Sequence, residues 1–436
     1  MSETAYLHTT ILDGTKNMIA RPDHGILVEN GKIKAILAPG ELPSGADVID
    51  LQGDYLMPGL INLHCHLPGS GKPSKIGGNT GSSIQKGLRS PIGRFFIRQM
   101  CMDAARTELL SGVTTLRTVG GLGTVDSQIR DKINQSEKAG PRILAADTAI
   151  TVPGGHMAGT MATTATSIGQ VIDLVKEISK TKPDLIKLMI TGGVLDADKP
   201  GAPGALRMPP EYVKAACDTA HRLGFPVAAH VESPVGVRVA LENGVDTIEH
   251  GAFLDEELVQ LFHKTGAKLV CTISPTFPMT SMDVKQLPDK NYRINGQIVQ
   301  EGIVQAARTA LERDITVGLG NDVGCPYVTH YDFWRELEYF HHFVGASRLE
   351  TLHIATEENA RIIGLDAVTG TIAPGKSADF IVCRKNPLEG FEALRQLEWV
   401  VVKGTAIQNP KPKHISKIDA LLDTCTESIR NGFIEG

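Results

Sequence analysis

Strand-like runs and helical patterns alternate along the middle of this chain. The eight strand-like runs are "LINLHCH" (60–66), "TTLRTVGG" (114–121), "RILAADTAIT" (142–151), "LIKLMITGG" (185–193), "PVAAHVES" (226–233), "TIEHGAF" (247–253), "KLVCTISP" (268–275) and "TVGLGNDVG" (316–324). Segments between them, such as 211–224 and 233–244, have apolar residues at helical spacing and end in Gly, which is common at helix C-termini. Eight such repeats predict an α/β fold, a TIM-like (β/α)8 barrel over 58–366, with its active site at the C-terminal ends of the strands.

The two ends of the chain have a different pattern. Residues 1–57 and 367–409 contain short β-like runs separated by turn signals, and "ENGK" (29–32) is typical of a hairpin turn. We therefore expect the two ends to pair into one small β-sandwich domain beside the barrel. Residues 410–436 form a C-terminal tail with a short amphipathic helix.

Composition and charge indicate which kinds of molecule this protein binds. The chain has 436 residues, of which 42% are hydrophobic and 21% charged, and its net charge is -5. Because the Lys and Arg residues are scattered, neither nucleic acid nor an anionic membrane is expected as a partner. We expect a small-molecule substrate.

The sequence also predicts a cytoplasmic location. No run of 18 apolar residues occurs, and "MSETAYLHTTILDG" lacks the basic start and apolar stretch of a signal peptide. The seven cysteines include no CxxC pair, which fits a reducing compartment where most are small core residues. Cys65 is expected to be one of them.

Two histidines end the first strand-like run. His64 and His66 are two residues apart, and such residues share one face of a strand, so both imidazoles point the same way. This geometry is typical of a metal site, although a chance pair at this spacing is common enough that partners are needed.

Further polar residues stand at the ends of later strands. They are Lys187, His230, His250 and Asp322. A lysine inside an apolar strand is costly unless it is paired or modified, and carboxylation by CO₂ would turn Lys187 into an anionic oxygen ligand. Four imidazoles, a carbamate and an aspartate suit two divalent ions, most simply Zn²⁺. Taken singly, His230 or His250 could be core histidines and Asp322 a helix cap or turn residue.

These segments together resemble the amidohydrolase superfamily, in its prolidase-like, imidazolonepropionase-related branch of metal-dependent dipeptidases. The resemblance covers nearly the whole chain. It rests on "LMPGLINLHCH", "LIKLMITGGV", "VAAHVES", "GVDTIEHGAF", "GLGNDVG", "ATEENARIIGL" and "GTIAPGKSADFIV".

The resemblance implies a ligand set and a reaction. His64, His66 and Asp322 would hold the more buried ion and His230 and His250 the other, with Lys187 and a hydroxide bridging them. The expected reaction is hydrolysis of a peptide-like amide, in a dipeptide or an N-acyl amino acid, by the metal-bridging hydroxide. Asp322 would accept the proton and pass it to the leaving nitrogen. Relatives often form homo-oligomers, so one is expected here.

Three residues are candidates for substrate binding. His156 lies in "TVPGGHMAG", which resembles the family's GGH-type loop. For His330, substrate contact and a structural role at a helix entry are equally open. Glu232 stands where the dipeptidase branch commonly has Tyr or His, and an anionic side chain there predicts a cationic substrate group; a helix cap or a surface ion pair is the alternative.

Two other segments depart from the family pattern. Asn321 replaces the usual Thr of a Gly-Thr-Asp signature, which we interpret as a variation that leaves the Asp in place. Residues 68–87 are rich in Gly, Ser and Lys and predict a mobile loop that could act as a lid.

Two alternative functions remain open from the sequence. One is a mononuclear deaminase of the same superfamily, disfavoured because such enzymes lack the lysine and carry a glutamate three residues after the fifth-strand histidine. The other is a non-catalytic barrel protein. Two, one or no metal ions per chain would separate the three cases.

Overall fold

A sheet built from both chain ends lies beside the central repeats. The computed structural model describes residues 3–73, 86–135, 140–283, 287 and 291–430. The sheet contains β1 (Thr4–Ile11), β2 (Arg21–Glu29), β3 (Lys32–Leu37), β4 (Asp47–Asp50), β5 (Tyr55–Pro58), β16 (Phe380–Cys383), β17 (Trp399–Val402) and β18 (Thr405–Gln408). Its order is β18-β17-β16-β5-β1-β2-β3, with β4 pairing with β1.

Two details of this sheet follow from the sequence. Asn30 and Gly31 both have positive φ, so "ENGK" turns β2 into β3 as predicted. The antiparallel pairing of β5 with β16 joins the two chain ends, and Tyr6 packs edge-on against Phe380 across the junction. The predicted association of the two ends is therefore present, in one continuous sheet.

The central strands are parallel and buried. They are β6 (Leu60–Cys65), β7 (Val113–Thr118), β8 (Arg142–Leu144), β9 (Ala149–Thr151), β10 (Ala162–Thr164), β11 (Ile186–Met189), β12 (Val227–Val231), β13 (Thr247–His250), β14 (Lys268–Cys271) and β15 (Val317–Leu319). They form two sheets, β6-β7-β8 and β10-β9-β11-β12-β13-β14-β15. Each predicted run contains a strand.

The run at 142–151 was wrongly predicted as one strand. It is divided into β8 and β9, and Asp147 between them has a φ of 58°. Its carboxylate accepts hydrogen bonds from the backbone and the hydroxyl of Ser127, which holds the chain in this turn. The first and last central strands also meet, since the His66 N–H donates to Val323 O at 2.9 Å.

Helices follow the strands, as the periodicity predicts. They are α1 (Pro91–Leu110), α2 (Val125–Asn134), α3 (Ile168–Ser179), α4 (Pro210–Arg222), α5 (Pro234–Glu242), α6 (Glu256–Thr265), α7 (Phe277–Ser281), α8 (Asn291–Glu312), α9 (Phe333–Tyr339), α10 (Arg348–His353), α11 (Asn359–Ile362) and α12 (Ser416–Arg430). Single π turns follow α9 and α10, and a 3₁₀ turn covers Phe391–Arg395.

Local signals explain where these helices begin and end. The Ser233 side chain caps α5 by accepting from the Gly236 N–H, with Pro234 in the first turn. Asp255 caps α6 in the same way, and Gly266 ends it in the left-handed conformation. The predicted tail helix is α12, which packs on α9 through the Arg335 guanidinium.

Three sequence predictions concern burial, membranes and the lid. All seven cysteines are free, and six of them, Cys65 included, are buried. Within the described part of the chain, no helix is long and apolar enough to cross a membrane. Most of the predicted mobile loop, residues 74–85, lies outside the described residues.

Candidate metal centre

The six predicted ligand residues come together at the C-terminal ends of the central strands. His64 and His66 belong to the end of β6, Lys187 to β11, His230 to β12, His250 to β13 and Asp322 to the loop after β15. All six are buried, with exposed fractions of 8% or less. The parallel strand order explains the convergence, because every strand ends on the same side.

His64, His66 and Asp322 form the first group. The Nε2 atoms of His64 and His66 lie 3.4 Å and 3.2 Å from the same Asp322 oxygen, Oδ1. Their Nδ1 atoms face acceptors instead, Glu249 Oε2 for His64 and Gly120 O for His66, each at 2.8 Å. Since Nδ1 carries the proton in both rings, both Nε2 lone pairs point toward Asp322.

His230 and His250 form the second group. Their ring centroids are 4.7 Å apart, and the His250 ring is also 4.7 Å from that of His64. His250 Nδ1 forms a 2.7 Å hydrogen bond with Thr272 Oγ1, which leaves Nε2 for the site. His230 Nε2 lies 3.3 Å from Gly192 O, which leaves Nδ1. Ligand atoms of His64, His250 and Asp322 lie within 4.8 Å of one another.

Lys187 lies within electrostatic range of both groups. Its charge affects the pKa of His64, His230 and His250, yet Nζ is buried and has no hydrogen-bond partner in the described part of the chain. Burial lowers the pKa of Lys187 to about 8, against the pull of Glu249. A larger share of neutral amine, the form that reacts with CO₂, is therefore present near neutral pH.

Electrostatics favour the protonation states that metal binding needs. Burial lowers the pKa of His64 to about 4 and holds those of His230 and His250 well below the usual value. Burial would raise the pKa of Asp322, but His64 and the neighbouring imidazoles hold it well below its usual range. Neutral imidazoles beside a carboxylate and a partnerless amine fit divalent ions of the zinc type.

Two of the ligand residues have unusual backbone angles. The φ of His250 is 68° and that of Asp322 is 53°, both in the left-handed region. Such a conformation costs roughly 1–3 kcal/mol for a residue other than glycine, and it is typical of functional sites. His250 is the last residue of β13, and Asp322 lies in the loop after β15.

A buried ion pair between Arg117 and Glu249 orients the His64 ring. Arg117 on β7 donates to Leu63 O at 2.8 Å and to Glu249 Oε1 at 2.7 Å. Burial opposes ionisation of Glu249, but Arg117 and His64 hold the pKa of that carboxyl well below its usual range. Glu249 thus stays charged and orients the His64 ring.

A second buried network holds the loop that carries Asp322. Asn62 donates to Asn321 Oδ1 at 2.8 Å and receives a 3.3 Å hydrogen bond from the Asn321 N–H. The Asn62 amide also lies 3.5 Å from a Glu108 oxygen. These contacts support the interpretation of Asn321 as a variation that preserves the position of Asp322.

His330 belongs to this second network. Its Nδ1 lies 3.1 Å from Glu108 Oε1 and its Nε2 lies 2.8 Å from Gly69 O. Because both ring nitrogens already have partners within the protein, the geometry favours the structural alternative over substrate contact.

His156 lies directly against the second metal group. Its ring stacks on His230 at 4.1 Å with an interplanar angle of 3°. Asp196 fixes the ring, since Asp196 Oδ2 accepts from His156 Nδ1 at 2.8 Å, and Asp196 Oδ1 accepts from the Gly193 N–H at 2.6 Å. The opposite ring nitrogen, Nε2, is not used by this contact and is suited to a substrate oxygen.

Glu232 also lies at the metal centre. Its residue is partly exposed, but its Oε2 atom is buried and has no hydrogen-bond partner. Neither alternative role is observed among the described residues: Ser233 caps the following helix, and no Lys or Arg forms an ion pair with Glu232. Burial raises the pKa of Glu232 well above its usual value, helped by Asp196.

Several supporting residues escaped the sequence analysis. They are Arg117, Glu249, Asp196, Asn62 and Glu108. A signal existed for the first two, because "TTLRTV" and "TIEHG" place a charged residue inside an apolar strand, as "LIKLM" does for Lys187. Glu108 and Asn62 stand in segments whose pattern gives no comparable signal.

Comparison with known proteins shows the family of the chain. The Amidohydrolase family profile matches residues 55–407. A structure from Bifidobacterium longum, provisionally described as a prolidase, has a TM-score of 0.85 at 35% identity, covering 97% of this chain and 99% of its own. A Xaa-Pro dipeptidase with bound methionine has a TM-score of 0.81 at 27% identity, covering 93% of this chain and 100% of its own.

Sequence relatives are more distant. Ochratoxinase from Aspergillus niger is 25% identical over 370 residues, which are 78% of this chain and 72% of the relative. Imidazolonepropionase from Hahella chejuensis is 23% identical over 383 residues, 82% of this chain and 86% of the relative. The predicted resemblance is therefore confirmed by both kinds of comparison.

Proposed function

The chain belongs to the amidohydrolase family, and from this premise we propose that it is a binuclear metal-dependent hydrolase of peptide-like amide bonds. Members of this superfamily depend on metal ions, and the prolidase-like neighbours indicate a hydrolase acting on carbon–nitrogen bonds. The observation that carries the proposal is that four buried imidazoles and Asp322 lie together, within electrostatic range of the buried Lys187 side chain.

The residues present would divide between two ions. His64, His66 and Asp322 would hold one, since both Nε2 atoms and Asp322 Oδ1 point to one place. His230 and His250 would hold the other. Carboxylated Lys187 would bridge them. Carboxylation and metal binding would also give the buried Lys187 side chain the polar partners that the described residues do not provide.

The metal ions, most simply Zn²⁺, would supply Lewis acidity that lowers the pKa of a water and polarises the scissile carbonyl. Asp322 would accept the proton from that water and donate it to the leaving nitrogen, a transfer that contributes typically 10²–10⁴-fold. His64 would be kept in its binding tautomer by Glu249 throughout.

Substrate recognition is proposed to involve His156. Its ring is fixed by Asp196 and stacks on His230, so its second nitrogen is presented beside the reacting centre to a substrate carbonyl or carboxylate.

The sequence prediction of a cationic substrate group at Glu232 stays a prediction. The Glu232 carboxylate is close enough to His230 and His250 to bind the same ion, which competes with a substrate contact.

We also propose a domain architecture that holds this site. The parallel central strands would close into a (β/α)8 barrel over 58–366, which the hydrogen bond from His66 N–H to Val323 O supports. Residues 1–57 and 367–409 would form a small β-sandwich domain, with 410–436 as a tail.

A substrate screen tests the proposed function. The zinc-loaded protein should hydrolyse members of a panel of dipeptides and N-acyl amino acids, with lactones and ring amines as comparison substrates. Release of ammonia from ring amines without amide cleavage, together with one ion per chain, would favour the deaminase alternative. No turnover and no bound metal would favour a non-catalytic barrel.

A further inference from the structure

The carboxylate of Glu232 lies within metal-binding reach of two histidines. One ligand atom each from His230, Glu232 and His250 all lie within 4.8 Å of one another. The two imidazoles are 4% and 2% exposed, and the Oε2 atom of Glu232 is buried. The ligand atoms of the three side chains are therefore close enough together to face one ion.

The backbone holds this carboxylate in place. The Glu232 N–H donates to Thr191 Oγ1 at 3.0 Å, and the Val194 N–H donates to the carboxylate. Gly193 leaves room for it, since a Cβ at that position would lie 3.3 Å from Oε2. The Glu232 carboxylate is thus held by the backbone, while its Oε2 atom has no donor among the described residues.

The charged groups around Glu232 favour binding of a cation beside it. Its electrostatic neighbours Asp196 and Asp322 are also acids, and no Lys or Arg pairs with it in the described ranges. Burying a carboxylate without a cation or a full set of donors is costly, so residues in this state are normally paired or bound to metal.

We propose that Glu232 is the third protein ligand of the ion held by His230 and His250. Two imidazoles and one carboxylate with an open position are a ligand set that catalytic zinc sites use. The inference rests on the binuclear centre of the proposed function and adds a ligand to it. It replaces the expectation that Glu232 recognises a cationic substrate, because its free oxygen is occupied by the ion.

Metal binding by a charge-neutral variant tests this assignment. Wild-type protein, Glu232→Gln and the control Glu257→Gln are loaded with Zn²⁺, equilibrated with a competing chelator and assayed for ions per chain by elemental analysis. Glu257→Gln makes the same chemical change at an exposed carboxylate that pairs with Arg238 and is outside the ligand group. We expect two ions in wild type and in the control, and at least tenfold weaker binding of the second ion in Glu232→Gln.

Two results would overturn the inference. One is a Glu232→Gln protein that keeps two ions with wild-type affinity and loses only its preference for cationic substrates. The other is an equal loss in both variants, which would indicate a general effect of charge.

A structural measurement covers the case in which Glu232→Gln does not fold. Anomalous diffraction from crystals of zinc-loaded wild type should place an ion about 2.0–2.2 Å from Oε2. Two ions with the Glu232 carboxylate beyond about 3 Å of both would overturn this inference and leave the proposed function standing. Wild-type protein that binds no metal would contradict the proposed function itself, and this inference with it.

Discussion

The Nδ1 atom of His64 lies 2.8 Å from Oε2 of Glu249, and both side chains are almost completely buried. The other oxygen of that carboxylate accepts from Arg117 at 2.7 Å. The arrangement fixes the His64 tautomer and raises the basicity of its Nε2 atom, which faces Asp322. An ion pair between residues far along the chain from His64 therefore orients this predicted metal ligand.

Replacing Glu249 should weaken the centre without removing a ligand. In Glu249→Gln we expect metal affinity to fall 10–100-fold, because His64 loses a charged acceptor and Arg117 loses its counter-ion. Competition with a chromogenic chelator measures the affinity. The control is Glu257→Gln, an exposed carboxylate paired with Arg238, which should leave affinity unchanged. Equal affinities for wild type and Glu249→Gln would argue against a supporting role.

Removing the metal should remove activity. Chelation is expected to abolish amide hydrolysis, and added Zn²⁺ should restore it, whereas Mg²⁺ should not, because four imidazole nitrogens suit zinc better than magnesium. Initial rates on a substrate from the screen measure both steps. Full activity in rigorously metal-free protein would be incompatible with the proposed mechanism.

Lys187 offers a test of the bridging group. Lys187→Ala should lose bound metal and activity, and a short carboxylic acid should restore part of both by entering the space left by the carbamate. Metal content and kcat are measured with and without acetate, and Lys180→Ala, an exposed lysine, serves as the control. A crystal of metal-replete wild type with a bare Lys187 amine away from the ions would refute the bridging role.

Asp322 is expected to matter most for the chemical step. Asp322→Asn should keep most of the metal and lower kcat by about 10²–10⁴, the usual contribution of proton transfer. Steady-state kinetics at matched metal content separate kcat from KM. A kcat equal to that of wild type would exclude Asp322 as the proton carrier.

His156 and His330 should respond differently to the same change. His156→Ala should raise KM, because it removes the ring presented beside His230. His330→Ala should instead lower Tm and leave KM unaltered, because Glu108 loses its buried partner, at a cost of about 1–3 kcal/mol. Thermal unfolding and KM are measured for both variants. The opposite pattern, a KM effect only in His330→Ala, would return His330 to the substrate site.

Short-range sequence pattern predicted the elements and the candidate ligands. Alternating strands and helices predicted where each central strand lies, because burial of parallel strands produces apolar runs that are visible in the sequence. A charged or imidazole side chain at the end of such a run has few structural explanations, so His64, His66, Lys187, His230, His250 and Asp322 could be listed before any contact was known. The prediction failed at 142–151, where tertiary contacts of Asp147 turn the chain between two short strands.

Only the tertiary structure decided which residues support the ligands and how. Arg117 and Glu249 are 132 positions apart, and Glu108 and His330 are 222 apart, so no local period relates them. Likewise, the sequence placed Glu232 near the centre, but its proximity to His250 depends on the pairing of β12 with β13. Periodicity in the sequence indicates which face of a helix or strand is buried. Which residues pack against that face depends on long-range packing.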